Sequence, residues 1–207
     1  MIVYVESNFI IRLALQQEEV VDAEGILKLA QSGDIKLAFP AFAISEPFST
    51  IAYRAVERRR VYDLLSHEAT QLHRSALHHQ IIPTIKSLLA TWVDLGQSEM
   101  RSLQSTVQLL LDVGKPIETT SSIFNQALAY QIAYGLLPKD SIIYAAIIAD
   151  LQRAPHDELK CFASSDSDFG IHPAIKSELQ TYNCRYIYKF SQALQFVKSI
   201  ALRDSQA

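Results

Sequence analysis

Apolar and polar positions follow two rhythms along this chain, and the changes of rhythm mark its elements. Ile2, Val3, Tyr4 and Val5 form a continuous β-branched and aromatic run, the composition of a short strand buried on both faces. The run ends at Glu6, and Ser7 or Asn8 is placed to cap a helix on which Phe9, Ile10 and Leu13 fall at helical spacing. Residues 18–31 repeat that spacing through Val21, Ala23, Ile26, Leu27 and Ala30, and Gly33 ends the helix. Ile35-Lys36-Leu37-Ala38-Phe39, closed by Pro40, predicts a second strand. Strand, helix, strand is the start of a parallel α/β unit.

No strand is expected from Ala41 to about Leu111. Phe42, Ile44, Phe48, Ile51 and Ala55 are helically spaced, with Pro47 restricted to the first turns of that helix or else kinking it. Pro83 is placed to open another helix through Leu88, Leu89, Trp92, Val93 and Leu95; Gly96 and then Gly114-Lys115-Pro116 punctuate the chain beyond it. The stretch of about 52–118 therefore predicts a helix that turns back as a second one, an insertion within a single domain over 1–207. Alternation then resumes. Residues 122–134 predict a helix ended by Gly135, 141–148 a helix apolar almost all round, and 159–164 a strand. A short helix, a last strand over 185–188 and a closing helix over 192–202 complete the chain. The expected fold class is α/β: a central, mainly parallel sheet of four or five strands, helices on both faces, and a helical insertion.

Composition narrows the function. Hydrophobic residues make up 49% and charged residues 20%, enough apolar surface for a substantial core. A net charge of −3 gives no general attraction to nucleic acid or anionic membrane, so a nucleic-acid substrate would need a local basic patch or bound metal ions. Cys161 and Cys184 lie in or beside apolar runs and read as small core residues of a reducing compartment. No Cys/His spacing suits structural zinc. The apolar start is too short for a signal peptide and has no basic leader, and no apolar run is long enough for a bilayer; a cytoplasmic, soluble chain without membrane partners is expected.

Carboxylates mark four places where chemistry could occur. Glu6 follows the first strand, Glu46 lies early in the helix after the second, Asp140 opens the apolar helix, and Asp166 with Asp168 follows the later strand. Each has an ordinary reading. Asp140 favours a helix N-terminus through the dipole, Glu46 is a solvated helix residue, Glu6 is a surface acid, and Ser-Asp-Ser-Asp is turn chemistry. Together they suggest more, because carboxyl ends of parallel strands line the crevice where open α/β sheets bind ligands. Acids brought that close raise one another's pKa unless a cation compensates. Hard oxygen donors select Mg²⁺ or Mn²⁺, ions that position phosphates and activate water.

The order Tyr4-Val5-Glu6-Ser7-Asn8-Phe9, Ser45-Glu46, Asp140 before an apolar helix, then Ala163-Ser164-Ser165-Asp166-Ser167-Asp168-Phe169, resembles the PIN-domain superfamily of metal-dependent nucleases, which includes the VapC-type toxins. The resemblance covers 1–50 and 120–190. It implies that Glu6, Glu46, Asp140 and Asp166 are the catalytic acids, with Asp168 an accessory one; Glu6, Asp140, Asp166 and Asp168 would be metal ligands. It implies that Asn8 and Ser164 brace the site. The family usually carries Asp where this chain has Glu6, one methylene longer. The implied activity is Mg²⁺- or Mn²⁺-dependent cleavage of RNA, with an antitoxin-like protein and a second copy of the chain, as a homodimer, as possible partners.

Arg54, Arg58, Arg59 and Arg60, with His73, Arg74, His78 and His79 further on, give the long helix a basic surface. Arg54, Arg58 and Arg59 are candidate RNA contacts, since phosphate contacts supply most non-specific affinity; the alternative is a solvated face with Glu57, Asp63 and Glu68 as local partners. No hydrolase triad and no phosphate-loop or dinucleotide fingerprint is present. Two rivals to a nuclease stand: a catalytically weak PIN-like module that binds RNA or protein, and a receiver-type domain, which would need an Asp pair near the first strand and a late Lys that are not found.

Overall fold

The computed structural model describes residues 1–204, apart from the side chains of Ala76, His78, His79 and residues 201–204. Five strands, β1 (Ile2–Tyr4), β2 (Lys36–Pro40), β3 (Lys115–Ile117), β4 (Lys160–Ala163) and β5 (Cys184–Ile187), form one sheet in the order β3-β2-β1-β4-β5, every adjacent pair parallel. The expected α/β class with a central parallel sheet is the observed one. The chain starts in the middle, builds outward through β2 to β3, then returns to place β4 on the other side of β1 and β5 beyond it.

Nine helices are described: α1 (Ser7–Leu15), α2 (Val20–Gln31), α3 (Ser45–Leu72), α4 (Ile82–Val113), α5 (Ser121–Tyr134), α6 (Pro138–Leu151), α7 (Ser167–Ile171), α8 (Pro173–Thr181) and α9 (Phe190–Asp204). Period-two alternation in the strands sorts their side chains between two cores. Val3, Val5, Leu37, Phe39, Cys161 and Ala163 face α1, α2 and α9, with Leu103 and Leu110 of α4 joining them. Ile2, Tyr4, Ala38 and Phe162 face α5 to α8. Lacking a solvated face, the short strands need no polar alternation, which is why they read as continuous apolar runs. Among the described residues no single helix is long and apolar enough to cross a membrane.

Three details differ from the sequence pattern. The pattern makes Gly114-Lys115-Pro116 punctuation, yet these residues lead into β3, and Pro116 pairs in register with Phe39. β3 lies at the sheet's edge, where a residue without an N–H can stand on the unpaired side. Val21 is 76% exposed; α2 buries Ala23, Ile26, Leu27 and Ala30, and position 21 lies round the helix from that stripe. Gly96 does not interrupt the second long helix but sits within α4.

The region expected as a helical insertion is a hairpin of α3 and α4, joined through a 3-10 stretch at Ala76–Ile81 and packed on α1. Pro47 is the third residue of α3, and Pro83 lies in the first turn of α4, positions where a missing N–H leaves no helical bond unmade. Arg58 of α3 donates from Nη1 and Nη2 to the two carboxylate oxygens of Glu99 of α4, both at 2.7 Å. The side chains are only 17% and 15% exposed. A Cβ on Gly96 would stand 3.4 Å from Arg58 Nη1, so a larger residue there would crowd the guanidinium.

Arg58→Ala leaves a partly buried carboxylate without its partner, and should cost about 1–3 kcal/mol, below the roughly 3–5 kcal/mol for breaking a fully buried pair because both groups keep some solvent contact. The melting temperature should drop by roughly 2–12 °C for a chain of this size. Arg59→Ala, which removes only an exposed pair with Asp63, should shift it little. Equal, small shifts for both variants in thermal denaturation would show that the Arg58–Glu99 pair does not hold the hairpin.

Candidate acidic site

Because all strands run one way, their carboxyl ends share one edge, and the chain's reversal of direction across the sheet falls between β1 and β4. That switch point is where the two outgoing loops separate and leave a crevice. Glu6 stands at the end of β1 and is 3% exposed. It is also the N-cap of α1: its Oε2 accepts from the backbone N–H of Asn8 at 2.9 Å. The sequence pattern points to Ser7 or Asn8 as the cap. Glu6 takes the position because its extended backbone ends the strand and its side chain curls back over the first turn.

The second oxygen, Glu6 Oε1, accepts from Ser164 Oγ at 3.0 Å, a bond from the end of β1 to the end of β4. Ser164 Oγ in turn accepts from the N–H of Asp166 at 2.9 Å, and Asp166 Oδ1 accepts from the N–H of Asp168, also at 2.9 Å, as the cap of α7. Glu46, the second residue of α3, accepts from Ser7 Oγ at 2.6 Å through Oε2 and from Lys139 Nζ through Oε1. Asp140 is the third residue of α6 and 3% exposed. Its Oδ2 is buried with no hydrogen-bond partner among the described residues.

Electrostatics tie these groups into one cluster. Burial pushes the Glu6 carboxyl from the usual 4.5 up to about 7; the charges of Asp166 and Glu46 add to this, while the bonds from Asn8 and Ser164 oppose it. Burial likewise raises Asp140 from 3.8 to about 6, with Lys139 pulling it down and Asp166, Glu46 and Asp168 pushing it up. The Tyr186 hydroxyl is raised by burial and then by Asp166, Glu6 and Asp168.

Glu6, Glu46, Asp140, Asp166 and Asp168 therefore border one place. Ser164 braces Glu6 by its hydroxyl; Asn8 does so through its backbone N–H. The arginines largely take the alternative arrangement, with local acidic partners on their own helix, and Arg58 adds a partner across the hairpin. Arg58 is locked to Glu99, Arg59 pairs with Asp63 and lies over the Tyr62 ring, and Arg60 pairs with Glu57. Arg54 is half-buried. His78 and His79, also assigned to the basic surface, have side chains outside the described residues. Ser7, Lys139 and Tyr186 join the acids without a sequence signal that would assign them to a site. Lys139 adjoins Asp140 in sequence, but its pairing with Glu46 spans 93 positions and leaves no local signal.

The donors fit a hard divalent cation in kind: all are carboxylate oxygens, one is buried without a partner, and two, Glu6 and Asp140, have pKa values raised toward neutrality by burial and by the charges of Asp166 and Glu46. Among the described residues, no three His, Cys, Asp or Glu side chains stand in an arrangement that could hold a metal ion. Glu6 and Glu46 instead direct their oxygens to Asn8, Ser164, Ser7 and Lys139. No family model, curated protein or solved structure matches the chain.

The raised acids fix a pH dependence. A carboxyl harder to ionise folded than unfolded keeps its proton longer in the native state, so stability falls as pH rises between the two pKa values. For Glu6 the window runs from about 4.5 to about 7, for Asp140 from 3.8 to about 6. In metal-free buffer the melting temperature should decline across this range. Glu6→Gln should flatten the decline and melt at or above wild type at pH 8, since the amide still accepts from Asn8 and can donate to Ser164. An unaltered slope in the variant would mean that Glu6 ionises as an ordinary surface acid.

Proposed function

We propose that the chain is a PIN-like phosphodiesterase that hydrolyses RNA in the cytoplasm, with Mg²⁺ or Mn²⁺ as its cofactor. The observation that carries this reading is Asp140 Oδ2, a buried oxygen without a partner among the described residues, facing the charges of three further acids, Asp166, Glu46 and Asp168, at the carboxyl edge of a parallel sheet. An unpaired buried acceptor costs on the order of 1–3 kcal/mol. An arrangement that leaves it so, beside other acids, suits a site that awaits a cation.

To hold the ion, Asp140, Asp166 and Glu6 would have to turn oxygens toward it from the arrangement described above, with Asp168 adding charge nearby. When bound, a divalent cation supplies the charge that orients a phosphodiester and makes water a better nucleophile. The chain's own residues do the rest. Ser164 and the Asn8 N–H fix the direction of Glu6, and Ser7 fixes Glu46 at the border of the cleft. Glu6 and Asp140 must give up protons to act as ligands, which links cation affinity to pH: tighter binding as pH rises through about 6 to 7. Lys139, held by Glu46 and close enough to Asp140 to lower its pKa, would be the positive group available to a phosphate oxygen.

One observation favours the rival, a PIN-like binding module with weak or no catalysis: Lys139 already neutralises Glu46, and both Glu6 oxygens are engaged within the chain. The two readings separate experimentally.

The test combines cleavage with stability. Single-stranded RNA should be cut in Mn²⁺ or Mg²⁺ and spared in EDTA, and Asp140→Asn should lose more than the roughly 10–100-fold typical of residues that merely support a metal ligand. Saturating Mn²⁺ should raise the wild-type melting temperature by about 5–10 °C, the effect of a ligand at about a hundredfold excess over Kd on a chain of this size. NaCl of equal ionic strength should not. Asp140→Asn should show a much smaller Mn²⁺ shift. A wild type that binds RNA yet never cuts it, with no Mn²⁺ shift, would leave the binding module as the correct reading.

A further inference from the structure

Beside the acids, along the outer edge of the sheet, β5, α7, α8 and α9 enclose an open groove of about 740 Å³. Its size lies within the range of ligand clefts, about 300–1,000 Å³. The chain has a net charge of −3, yet among the described residues the only charged side chains lining this groove are Lys176 and Arg185, and no carboxylate does. Its walls carry three aromatic rings: Tyr186, Tyr188 and Phe196. Tyr188 is 44% exposed, and the Arg185 guanidinium lies over the Phe196 ring, 5.4 Å from its centre.

The groove is joined to the acid cluster by specific contacts. Ser167, on its wall, directly follows Asp166. The Tyr186 hydroxyl donates to the backbone oxygen of Asp166 at 2.6 Å. That ring can reach so far because residue 170 is glycine: a Cβ there would stand 3.1 Å from Tyr186 Cε1. One face of Tyr186 thus belongs to the groove while its hydroxyl touches the segment that carries Asp166 and Asp168.

We propose that this groove binds single-stranded RNA, seating the part of the strand that flanks the phosphodiester at the acid cluster. The substrate class rests on the phosphodiesterase reading of that cluster. Cations with neighbouring exposed aromatics are the combination that tracks a phosphate backbone while stacking its bases, and stacking requires bases that are not already paired. The groove supplies the local basic patch that the chain's overall charge demands, on a different face from the arginines of α3, three of which are paired within the chain. The outer edge of β5 could also pair with an extended peptide, but a groove charged only by cations and lined by three rings favours the polynucleotide.

The test is fluorescence anisotropy of the full chain with a labelled single-stranded RNA of about a dozen nucleotides, in EDTA so that no cleavage intervenes. Lys176→Glu with Arg185→Glu should weaken binding at least tenfold at low salt and reduce the log–log salt slope by roughly 1.4, about 0.7 for each phosphate contact. Tyr188→Ala should weaken binding roughly 5- to 150-fold, the range for one lost stacking partner, without changing the slope. All three positions are exposed, so melting temperatures should stay near wild type and confirm folded variants. Wild type that binds RNA while the groove variants bind equally well overturns the inference, as does wild type that does not bind RNA. Wild type that binds, loses binding in the variants, and yet never cuts with Mn²⁺ leaves the groove standing and removes the phosphodiesterase.

Discussion

Five strands that all run the same way must present all five carboxyl ends on one edge, and the distinctive features of this protein stem mostly from that constraint. It carries Glu6, Glu46 and Asp166 to one side of the molecule although 40 and 120 residues separate them in the chain. The order of the strands adds the second ingredient. With β1 central and the later half of the chain returning to its other flank, the loops after β1 and β4 part from each other and open a crevice. The bond from Ser164 Oγ to Glu6 Oε1 links the ends of β1 and β4 and couples the two halves of the sheet at the residue that also caps α1.

The acid cluster works against the fold that makes it. Burial and like charge hold Glu6 and Asp140 well above the usual carboxylate range, and one Asp140 oxygen has no donor among the described residues. Lys139 offsets part of this by pairing with Glu46 and lowering Asp140. Trp92 Nε1 and Thr119 Oγ1 are also buried without a partner among the described residues, while other buried polar groups are satisfied. The wholly buried Lys160 donates to the carbonyls of Pro155, Glu158 and Tyr182, and the Glu178 carboxylate accepts from the hydroxyls of Tyr130, Tyr134 and Tyr144. Asp140 is the ionisable group among these three unpartnered atoms, and perturbed ionisable groups cluster where proteins bind and react.

Charge is likewise divided between structure and surface. The arginine run of α3 looks like a nucleic-acid rail in one dimension, but in three Arg58 reaches across the hairpin to Glu99, while Arg59 and Arg60 pair with Asp63 and Glu57 along their own helix. The cations over the groove at β5 come from separate elements, α8 and β5, and form no run in the chain.

The sequence alone determined the class of fold, most of the elements and the set of acids. Apolar runs such as Ile2 to Val5 report burial on both faces, helical spacing reports one buried stripe, and a carboxylate that ends an apolar run is visible wherever it stands. It also placed Pro47 and Pro83 correctly, because proline's constraint is local. Tertiary structure alone decided whatever depended on neighbours distant in the chain. Pro116 became a strand residue because β3 lies at an edge; Glu6 rather than Ser7 became the cap because β1 ends where α1 must begin; Arg58 found Glu99, and Lys139 found Glu46. Local pattern records how much of a residue is buried, not which group buries it. Partner, exposure and charge environment are properties of the packed chain, so Asp140 reads in sequence as an ordinary helix-start acid and becomes an unpartnered one only when α6 is packed against the sheet.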